Sequence, residues 1–285
     1  MDDAFTLALP ASRRSCAVFS SPHSGRDYPV ALTRTSRLSL RQLRSSEDAF
    51  VDELFAAGPE AGAPLIAARA PRAWVDLNRG AGDLDPALIA GAGRAAQNPR
   101  IAAGLGVIPR VVGEGRTIID GKLSLAEAER RIATVWRPFH ARLAALVEES
   151  RAAFGMAVLF DCHSMPHDAL SATPSVWGRR PNVILGDRFG AACDRWVIDL
   201  AAEVFAEAGF LVARNTPFAG GYITQTYGRP RRGVHALQIE IDRALYMDEA
   251  RIERGADFAA VAERLAGVTR ALAAIAPRRL PVAAE

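Results

Sequence analysis

A buried strand that ends in polar residues is predicted by the stretch Met156-Ala157-Val158-Leu159-Phe160-Asp161-Cys162-His163-Ser164-Met165. Its first five residues are all apolar, which is typical of a strand covered on both faces. The chain then changes to an acid, a thiol, an imidazole and a hydroxyl, so we expect the strand to end at Asp161. Ligands of open α/β sheets bind beyond the carboxyl ends of the strands, so His163 is well placed for chemistry. Cys162 should point to the opposite face and belong to the core.

The rest of the chain alternates between strand and helix patterns. The alternation, without a linker-like tract or an internal repeat, predicts one α/β domain over residues 1–285, with its core at about 15–276. We expect a mainly parallel or mixed central sheet flanked by helices. Pro138 should kink or divide the helix that opens at Ser124, and residues 214–233 resemble a long loop. The other predicted strands are 15–20, 64–68, 74–77, 183–185, 210–213 and 234–241, and the other predicted helices are 47–57, 190–208 and a closing helix from Asp248 to about Ala276.

Composition argues against several classes of protein. With 49% hydrophobic and 24% charged residues, the chain has an ordinary globular composition. It has no uninterrupted apolar run approaching about 18 residues, so we expect no membrane span. Its acidic start lacks the features of a signal peptide, and three widely spaced cysteines favour a reducing, cytoplasmic location. The net charge of +3 comes from scattered basic residues, so a nucleic-acid partner is not expected.

Two histidines follow predicted strands. His23 stands in Pro22-His23-Ser24-Gly25, where a tight turn should expose the imidazole, and His163 occupies the equivalent position after the central strand. Two such histidines could converge at one edge of the sheet and bind a metal. Zinc in catalytic sites commonly takes two histidines and one carboxylate and leaves a fourth position for water. Alternatively, each histidine is a hydrogen-bonded turn residue.

Several acids could complete such a site. Glu47 and Asp48 lie at a predicted helix start, where the helix dipole alone favours acids. Asp76 and Asp161 lie at predicted strand ends and suit the orientation of a ligand histidine. Glu240 stands between two isoleucines of a predicted strand, where a carboxylate is costly to bury unless it is paired or near a metal.

Glu240 and two other segments offer further chemistry. Arg243 is a possible structural partner of Glu240, and the functional interpretation makes Glu240 a general base acting on metal-activated water. The segment Asp76-Leu77-Asn78-Arg79 brings together an amide and a guanidinium suited to carboxylate recognition. Gly220-Gly221-Tyr222 combines hinge-like backbone with an aromatic hydroxyl. His140 should be a packed helix residue, and His167 and His235 are secondary candidates for substrate contact.

In chain order, these segments resemble the N-formylglutamate amidohydrolase family. The resemblance extends from about residue 15 to 250. The matching pieces are Ser21-Pro22-His23-Ser24-Gly25 with Tyr28-Pro29, Asp76-Leu77-Asn78-Arg79, Gly106-Val107-Ile108-Pro109-Arg110, Pro138-Phe139-His140, Asp161-Cys162-His163-Ser164-Met165-Pro166, Gly220-Gly221-Tyr222, and Leu237-Gln238-Ile239-Glu240-Ile241 through Arg243.

The resemblance implies a zinc-peptidase-like α/β fold, distantly similar to zinc carboxypeptidases. It implies one Zn²⁺ per chain and hydrolysis of a small N-acyl amino acid, N-formyl-L-glutamate, to formate and glutamate, a step in histidine breakdown. By motif, the zinc ligands would be His23, His163 and a carboxylate, with Asp48 aligning best and Glu47 its close rival. Glu240 would be the general base. The residues that would contact substrate are Asn78, Arg79 (also as a catalytic group at the scissile carbonyl), Gly221, Tyr222 and Arg243.

The chain also departs from related patterns. Zinc carboxypeptidases carry a carboxylate ligand three residues after the first histidine, where this chain has Arg26. Typical family members have an Asp-Trp pair, whereas Ala49 follows Asp48 here. Arg214 or Arg229 could hold the side-chain carboxylate of the substrate. The alternatives are another N-acyl-amino-acid deacylase or small carboxypeptidase on the same site, and a metal-free binder of acidic metabolites.

Overall fold

The centre of the molecule is a seven-stranded mixed sheet with helices on both faces. The computed structural model describes residues 4–93, 98–171 and 173–276. The strands are β1 (Phe5–Ala8), β2 (Ala17–Ser21), β3 (Leu65–Ala68), β4 (Ile89–Ala90), β5 (Leu123–Ser124), β6 (Ala157–Met165), β7 (Val183–Gly186), β8 (Val212–Arg214), β9 (Val234–Asp242), β10 (Met247–Asp248) and β11 (Glu253–Arg254).

The sheet has the spatial order β1-β3-β2-β6-β9-β7-β8. Strands β3, β2, β6 and β9 run parallel, while β1 and β7 pair antiparallel with β3 and β9. Strand β8 is parallel to β7. The predicted mixed α/β sheet is therefore confirmed, and the division into one domain over residues 1–285 stays a prediction. The carboxyl ends of the four parallel strands meet at one edge, where the site lies.

Helices cover both faces of this sheet. One face packs against α3 (Val51–Leu54), α7 (Arg195–Glu207) and α9 (Phe258–Ala273), and the other packs against α5 (Leu125–Arg131) and α6 (Arg137–Phe154). No described helix is long and apolar enough to cross a membrane. The helices are α1 (Val30–Thr35), α2 (Leu40–Leu43), α3 (Val51–Leu54), α4 (Pro99–Ala102), α5 (Leu125–Arg131), α6 (Arg137–Phe154), α7 (Arg195–Glu207), α8 (Tyr222–Tyr227) and α9 (Phe258–Ala273).

The two central strands change character along their length. Every residue of β6 and β9 is buried. On the face toward α6, Leu159 and Ala236 belong to the apolar core, but the next residues on that face are polar: Asp161, His163, Gln238 and Glu240. On the opposite face Phe160, Cys162, Ile239 and Ile241 belong to the apolar core, as predicted for Cys162, and the buried polar residue Ser164 follows near the end of β6. A polar patch is thus built into the carboxyl ends of otherwise apolar strands.

Several predicted elements have different bounds. The central strand does not end at Asp161, because β6 pairs with β9 as far as Met165, so His163 lies within the strand. The predicted strand 74–77 is wrong: the N–H groups of Trp74 and Val75 both donate to the carbonyl of Pro71, which makes a turn. The predicted helix 47–57 shortens to α3, because Phe50 has a left-handed φ of 67° just before it.

The carboxyl-terminal third shows three further differences. The predicted loop 214–233 contains α8 and is therefore not structureless. Asp248 does not cap the closing helix, because it lies in the β10–β11 pair and α9 begins only at Phe258. Pro138 does not divide its helix, because a π-helical turn over Ile132–Trp136 links α5 to α6. Proline has no N–H to donate within a helix, and the wider π-helical turn accommodates this missing hydrogen bond.

Candidate metal centre and cavity

Three potential metal ligands converge at the carboxyl ends of β2 and β6. The Nδ1 atoms of His23 and His163 lie 3.1 Å apart. Asp48 Oδ2 lies 3.0 Å from His163 Nδ1 and 3.3 Å from His23 Nδ1. All three residues are buried, so His23 is not exposed as its turn had suggested. The two histidines and one carboxylate therefore form a single cluster.

The spacing of these three atoms fits one small cation. Two ligands that bind zinc at about 2.0–2.2 Å in tetrahedral directions lie about 3.3 Å from each other. The observed separations of 3.0–3.3 Å match this value. Nitrogen and carboxylate oxygen are also the donors that zinc takes in catalytic sites. The cluster can therefore hold a metal ion through His23, Asp48 and His163.

Local backbone geometry explains how His23 and Asp48 meet. His23 lies two residues beyond β2, and its carbonyl accepts a hydrogen bond of 2.9 Å from the N–H of Asp48. The turn after His23 packs closely on a neighbouring segment, since a Cβ at Gly25 would lie 2.1 Å from the Ala70 carbonyl oxygen. Only glycine fits there, so Gly25 fixes the path of the His23 turn.

Two further carboxylates fix the orientation of the histidine rings. His23 Nε2 lies 2.7 Å from Asp76 Oδ1, and His163 Nε2 lies 3.0 Å from Asp161 Oδ2. An ionised carboxylate only accepts hydrogen bonds, so the hydrogen bond between His23 and Asp76 requires the proton on Nε2 of His23. The Nδ1 atom of His23 is then left with its lone pair directed at the cluster, while Asp161 lies at ion-pair distance from His163. The hydrogen bond of Asp76 is consistent with the orienting role predicted for it, and the same role for Asp161 stays a prediction.

The contacts of Asp48 and Glu47 separate the two rival acids. Asp48 Oδ1 accepts a hydrogen bond of 2.9 Å from Arg243 Nη2, which holds Oδ2 toward the histidines. Glu47 instead accepts two hydrogen bonds of 3.0 Å from Arg44 and one of 3.1 Å from Tyr28. Glu47 thus points away from the cluster, and Asp48 is the candidate ligand.

The charges in the cluster favour the binding of a cation. Burial disfavours the ionised form of Asp48, but His163, His23 and Arg243 outweigh it and hold the pKa of Asp48 well below its usual range. Burial likewise opposes protonation of His163, yet Asp161 and Asp48 raise its pKa well above the usual value. Without a metal, His163 takes up a proton, and a divalent cation would replace that proton.

Glu240 lies beside this cluster. It is paired in register with His163 on the neighbouring strand, so both side chains project from the same face of the sheet. Gln238 Nε2 donates a 2.8 Å hydrogen bond to Glu240 Oε1. Burial raises the pKa of Glu240 to about 7, with His163 opposing and Asp48 reinforcing the effect. Such a pKa suits a group that accepts and releases a proton near neutral pH.

The raised pKa predicts that Glu240→Gln stabilises the metal-free protein at alkaline pH. The folded protein holds a proton on Glu240 up to about pH 7, whereas the unfolded chain releases it near 4.5. The stability that this proton confers is complete below pH 4.5 and is lost as the pH rises through 7. Glutamine stays neutral, so the variant's gain in unfolding free energy should grow over this range to about 3 kcal/mol. Urea unfolding of chelator-treated protein at pH 5 and pH 8 checks this; equal gains at both values would contradict it.

A cavity of about 520 Å³ opens from the cluster. Besides the candidate ligands and Glu240, it is lined by four arginines, Arg72, Arg79, Arg100 and Arg243. Sequence reasoning missed Arg72 and Arg100, because neither belongs to a recognisable motif. Arg214 and Arg229 do not line the cavity: Arg214 pairs with Asp199, and Arg229 donates to the carbonyls of Gln225 and Gly228.

The predicted substrate contacts occupy different positions. Asn78, Arg79, Gly221 and Arg243 all line the cavity. The Asn78 side chain accepts from the N–H of Ile223, and its Nδ2 lies 3.2 Å from His163 Nε2. A Cβ at Gly221 would lie 2.5 Å from the Asn78 amide, so glycine is required there. Asn78 therefore ties the start of α8 to the site.

Tyr222 and three other histidines lie outside the cavity lining. The ring of Tyr222 packs against Trp136 and His140, with ring centroids 5.9 and 5.5 Å away. His140 Nε2 lies 2.9 Å from the Leu77 carbonyl, and Trp136 Nε1 donates to the Arg79 carbonyl at 2.8 Å. The π-helical turn thus fastens the Asn78–Arg79 segment. His167 and His235 contact Asp242 and the N–H of Asp194, respectively.

The chain matches a known family over most of its length. The family described as N-formylglutamate amidohydrolase matches residues 15–247. Proteins named N-formylglutamate deformylase from Pseudomonas putida and Pseudomonas aeruginosa are 32% and 34% identical to the chain, over 236 and 237 residues. Each alignment covers 81% of this chain and 82% of the relative.

Solved structures agree with the sequence matches. The crystal structure of N-formylglutamate amidohydrolase from Ralstonia eutropha has a TM-score of 0.88 and 37% identity, covering 95% of this chain and 97% of that chain. A protein from Agrobacterium tumefaciens, at 20% identity, has a TM-score of 0.64 over 94% of this chain and 93% of its own, which shows the fold alone. The chain therefore belongs to the N-formylglutamate amidohydrolase family.

Proposed function

We propose that this protein is a zinc-dependent amidohydrolase that cleaves N-formyl-L-glutamate to formate and L-glutamate. The single observation that carries the proposal is the buried cluster of His23, Asp48 and His163 beside Glu240, within one cavity. The names of the relatives, which are 32–37% identical over most of the chain, support the substrate. The three buried, unpaired cysteines suit the reducing cytoplasm in which histidine breakdown would take place.

The charge of the cavity also supports this substrate. Its four arginines outnumber the carboxylates of Asp48, Asp76 and Glu240, and a bound divalent cation would add further positive charge. N-formylglutamate carries two carboxylates at neutral pH, so its charge is complementary to this lining. The volume of about 520 Å³ lies within the range of small-molecule sites, roughly 300–1,000 Å³.

In the proposed reaction, His23, Asp48 and His163 would hold the metal ion. A bound zinc ion supplies Lewis acidity, which polarises the amide carbonyl and makes water more acidic. Glu240 removes a proton from the attacking water and delivers it to the departing nitrogen. Arg79 donates hydrogen bonds to the former carbonyl oxygen as negative charge develops on it.

The positions of Arg79 and Arg243 are consistent with separate roles. Arg79 uses Nε and Nη1 for the carbonyls of Leu105 and Asn78, and these bonds fix its guanidinium plane at the cavity wall. Arg243 contacts Asp48, Ser164 Oγ and the Ser45 carbonyl. We therefore propose that Arg79 contacts the substrate and that Arg243 mainly positions the ligand Asp48.

Metal removal tests the proposed function. The purified protein should contain one zinc ion per chain and release formate from N-formyl-L-glutamate. A chelator should abolish this activity, and added zinc should restore it. The reason is that the three protein ligands hold the metal ion, and the proposed reaction has no other Lewis acid. Formate release and zinc content, measured on the same samples, provide the check. Activity that persists at zero zinc content would contradict the mechanism, and a metal-loaded protein that prefers another N-acyl amino acid would correct the substrate.

A further inference from the structure

One wall of the cavity carries three arginines, Arg72, Arg79 and Arg100. Burial is the main cause of the lowered pKa of Arg79, and the positive charges of Arg72 and Arg100 contribute to it. Arg79 therefore lies close enough to Arg72 and Arg100 to be repelled by both, while the carboxylates of Asp76 and Asp83 offset part of this repulsion. An anion bound among the three arginines would offset it further. The wall is thus suited to an anionic ligand.

Two of these arginines are held by other protein groups. Arg72 Nε donates to Asp76 Oδ2 at 3.0 Å, and Arg79 donates to the carbonyls of Leu105 and Asn78. The Arg100 guanidinium makes no hydrogen bond or ion pair with any residue in the three ranges that the structure describes. Among the described residues, Arg100 is therefore the cation of this wall whose whole guanidinium group remains available to a ligand.

The position of Arg100 is nevertheless well defined by its backbone. Asn98 Oδ1 accepts a 3.0 Å hydrogen bond from the Arg100 N–H at the start of α4. The N–H of Leu105 donates to the Arg100 carbonyl at 2.8 Å, and the Leu105 carbonyl accepts from Arg79 Nε at 2.9 Å. Leu105 therefore links the backbone of Arg100 to the side chain of Arg79.

Arg100 lies farther from the reacting groups than Arg72 does. Arg72 lies beside the metal cluster, because Asp76 accepts a hydrogen bond from Arg72 through Oδ2 and contacts His23 Nε2 through Oδ1. Arg100 is exposed and acts on Arg79 instead. The three arginines thus lead outward from the cluster, and Arg100 is the outermost.

We propose that Arg100 binds the side-chain carboxylate of the substrate and thereby sets the preference for an acidic N-formyl amino acid. This inference rests on the proposed function. A substrate whose formyl group lies at the metal cluster extends its side chain along the wall, away from the reacting amide. A guanidinium pairs with a carboxylate through two parallel hydrogen bonds, which a neutral carboxamide of the same shape cannot match.

The test compares N-formyl-L-glutamate with N-formyl-L-glutamine, which differs only in the charge of the side chain. The wild-type protein should favour the glutamate substrate in kcat/KM by about tenfold or more, the effect of one charge-assisted pair. Arg100→Gln should remove most of this preference by raising KM for the glutamate substrate, with kcat and the glutamine substrate nearly unchanged. Arg100→Lys should retain part of this preference, because lysine keeps the positive charge but cannot form two parallel hydrogen bonds with a carboxylate.

Arg231→Gln is the matched control. Arg231 is exposed in the turn before β9, at the opposite end of the parallel strands, and its substitution changes the net charge equally. It should leave the preference intact. An unchanged preference in Arg100→Gln would overturn the inference, as would an equal loss for both substrates, which indicates a structural role. A wild-type protein inactive toward both substrates would instead overturn the proposed function, and the inference with it.

Discussion

Glu240→Gln should lower kcat for N-formyl-L-glutamate by about a hundredfold to ten-thousandfold, the usual contribution of a general base. The variant keeps the size and the buried position of the side chain but cannot accept a proton from water. Glu240 pairs in register with His163 yet is not one of the three clustered ligands. The zinc content should therefore remain at one ion per chain while the rate falls.

Measurement of zinc content, KM and single-turnover formate release on the same preparation separates chemistry from binding. A loss in kcat with little change in KM identifies a group that acts in the transition state. Glu148→Gln is a suitable control, because Glu148 is exposed on α6 and, within the part of the chain that the structure describes, pairs only with Arg151. If Glu240→Gln released formate at the wild-type rate, the base would have to be another residue of the cavity.

The central part of the fold could be predicted because β6 begins with an apolar run and β9 carries apolar residues along most of its length. Such short apolar runs are typical of strands in the middle of a sheet. Their polar interruptions at His163 and Glu240 were informative for the same reason, since burying such groups is costly without a function or a partner. Trp74, Val75 and Leu77 are also apolar, but local hydrogen bonds from Trp74 and Val75 to Pro71 make this segment a turn, which Asp76 fixes by a tertiary hydrogen bond to Val107.

The remainder of the site depends on contacts that a sequence pattern does not contain. Arg72 and Arg100 look like ordinary surface arginines, and only the folded chain brings them to the wall of the cavity. Glu47 and Asp48 are adjacent acids with the same local propensity. Their separation into a structural acid and a candidate ligand follows from which of them faces His23 and His163. The resemblance to a family narrowed this choice, and the geometry favours Asp48.

The choice between these two acids yields the second large prediction. Asp48→Asn should reduce zinc content well below one ion per chain and lower activity by more than about a hundredfold. Loss of an outer-shell partner alone typically costs 10–100-fold in metal affinity or activity, and loss of a ligand should cost more. Glu47→Gln should keep zinc and activity, because Glu47 bonds only to Arg44 and Tyr28 among the described residues.

Folding must be measured alongside zinc, because both acids are buried and paired. Asp48→Asn leaves Arg243 without its carboxylate, and breaking a buried pair can cost about 3–5 kcal/mol. Asparagine retains an oxygen for Arg243, so the variant should still fold, and metal analysis of the folded fraction decides the question. Glu47→Gln should lower the melting temperature while zinc stays bound. The reverse outcome, zinc lost in Glu47→Gln and kept in Asp48→Asn, would make Glu47 the ligand and would require the segment before α3 to rotate when metal binds.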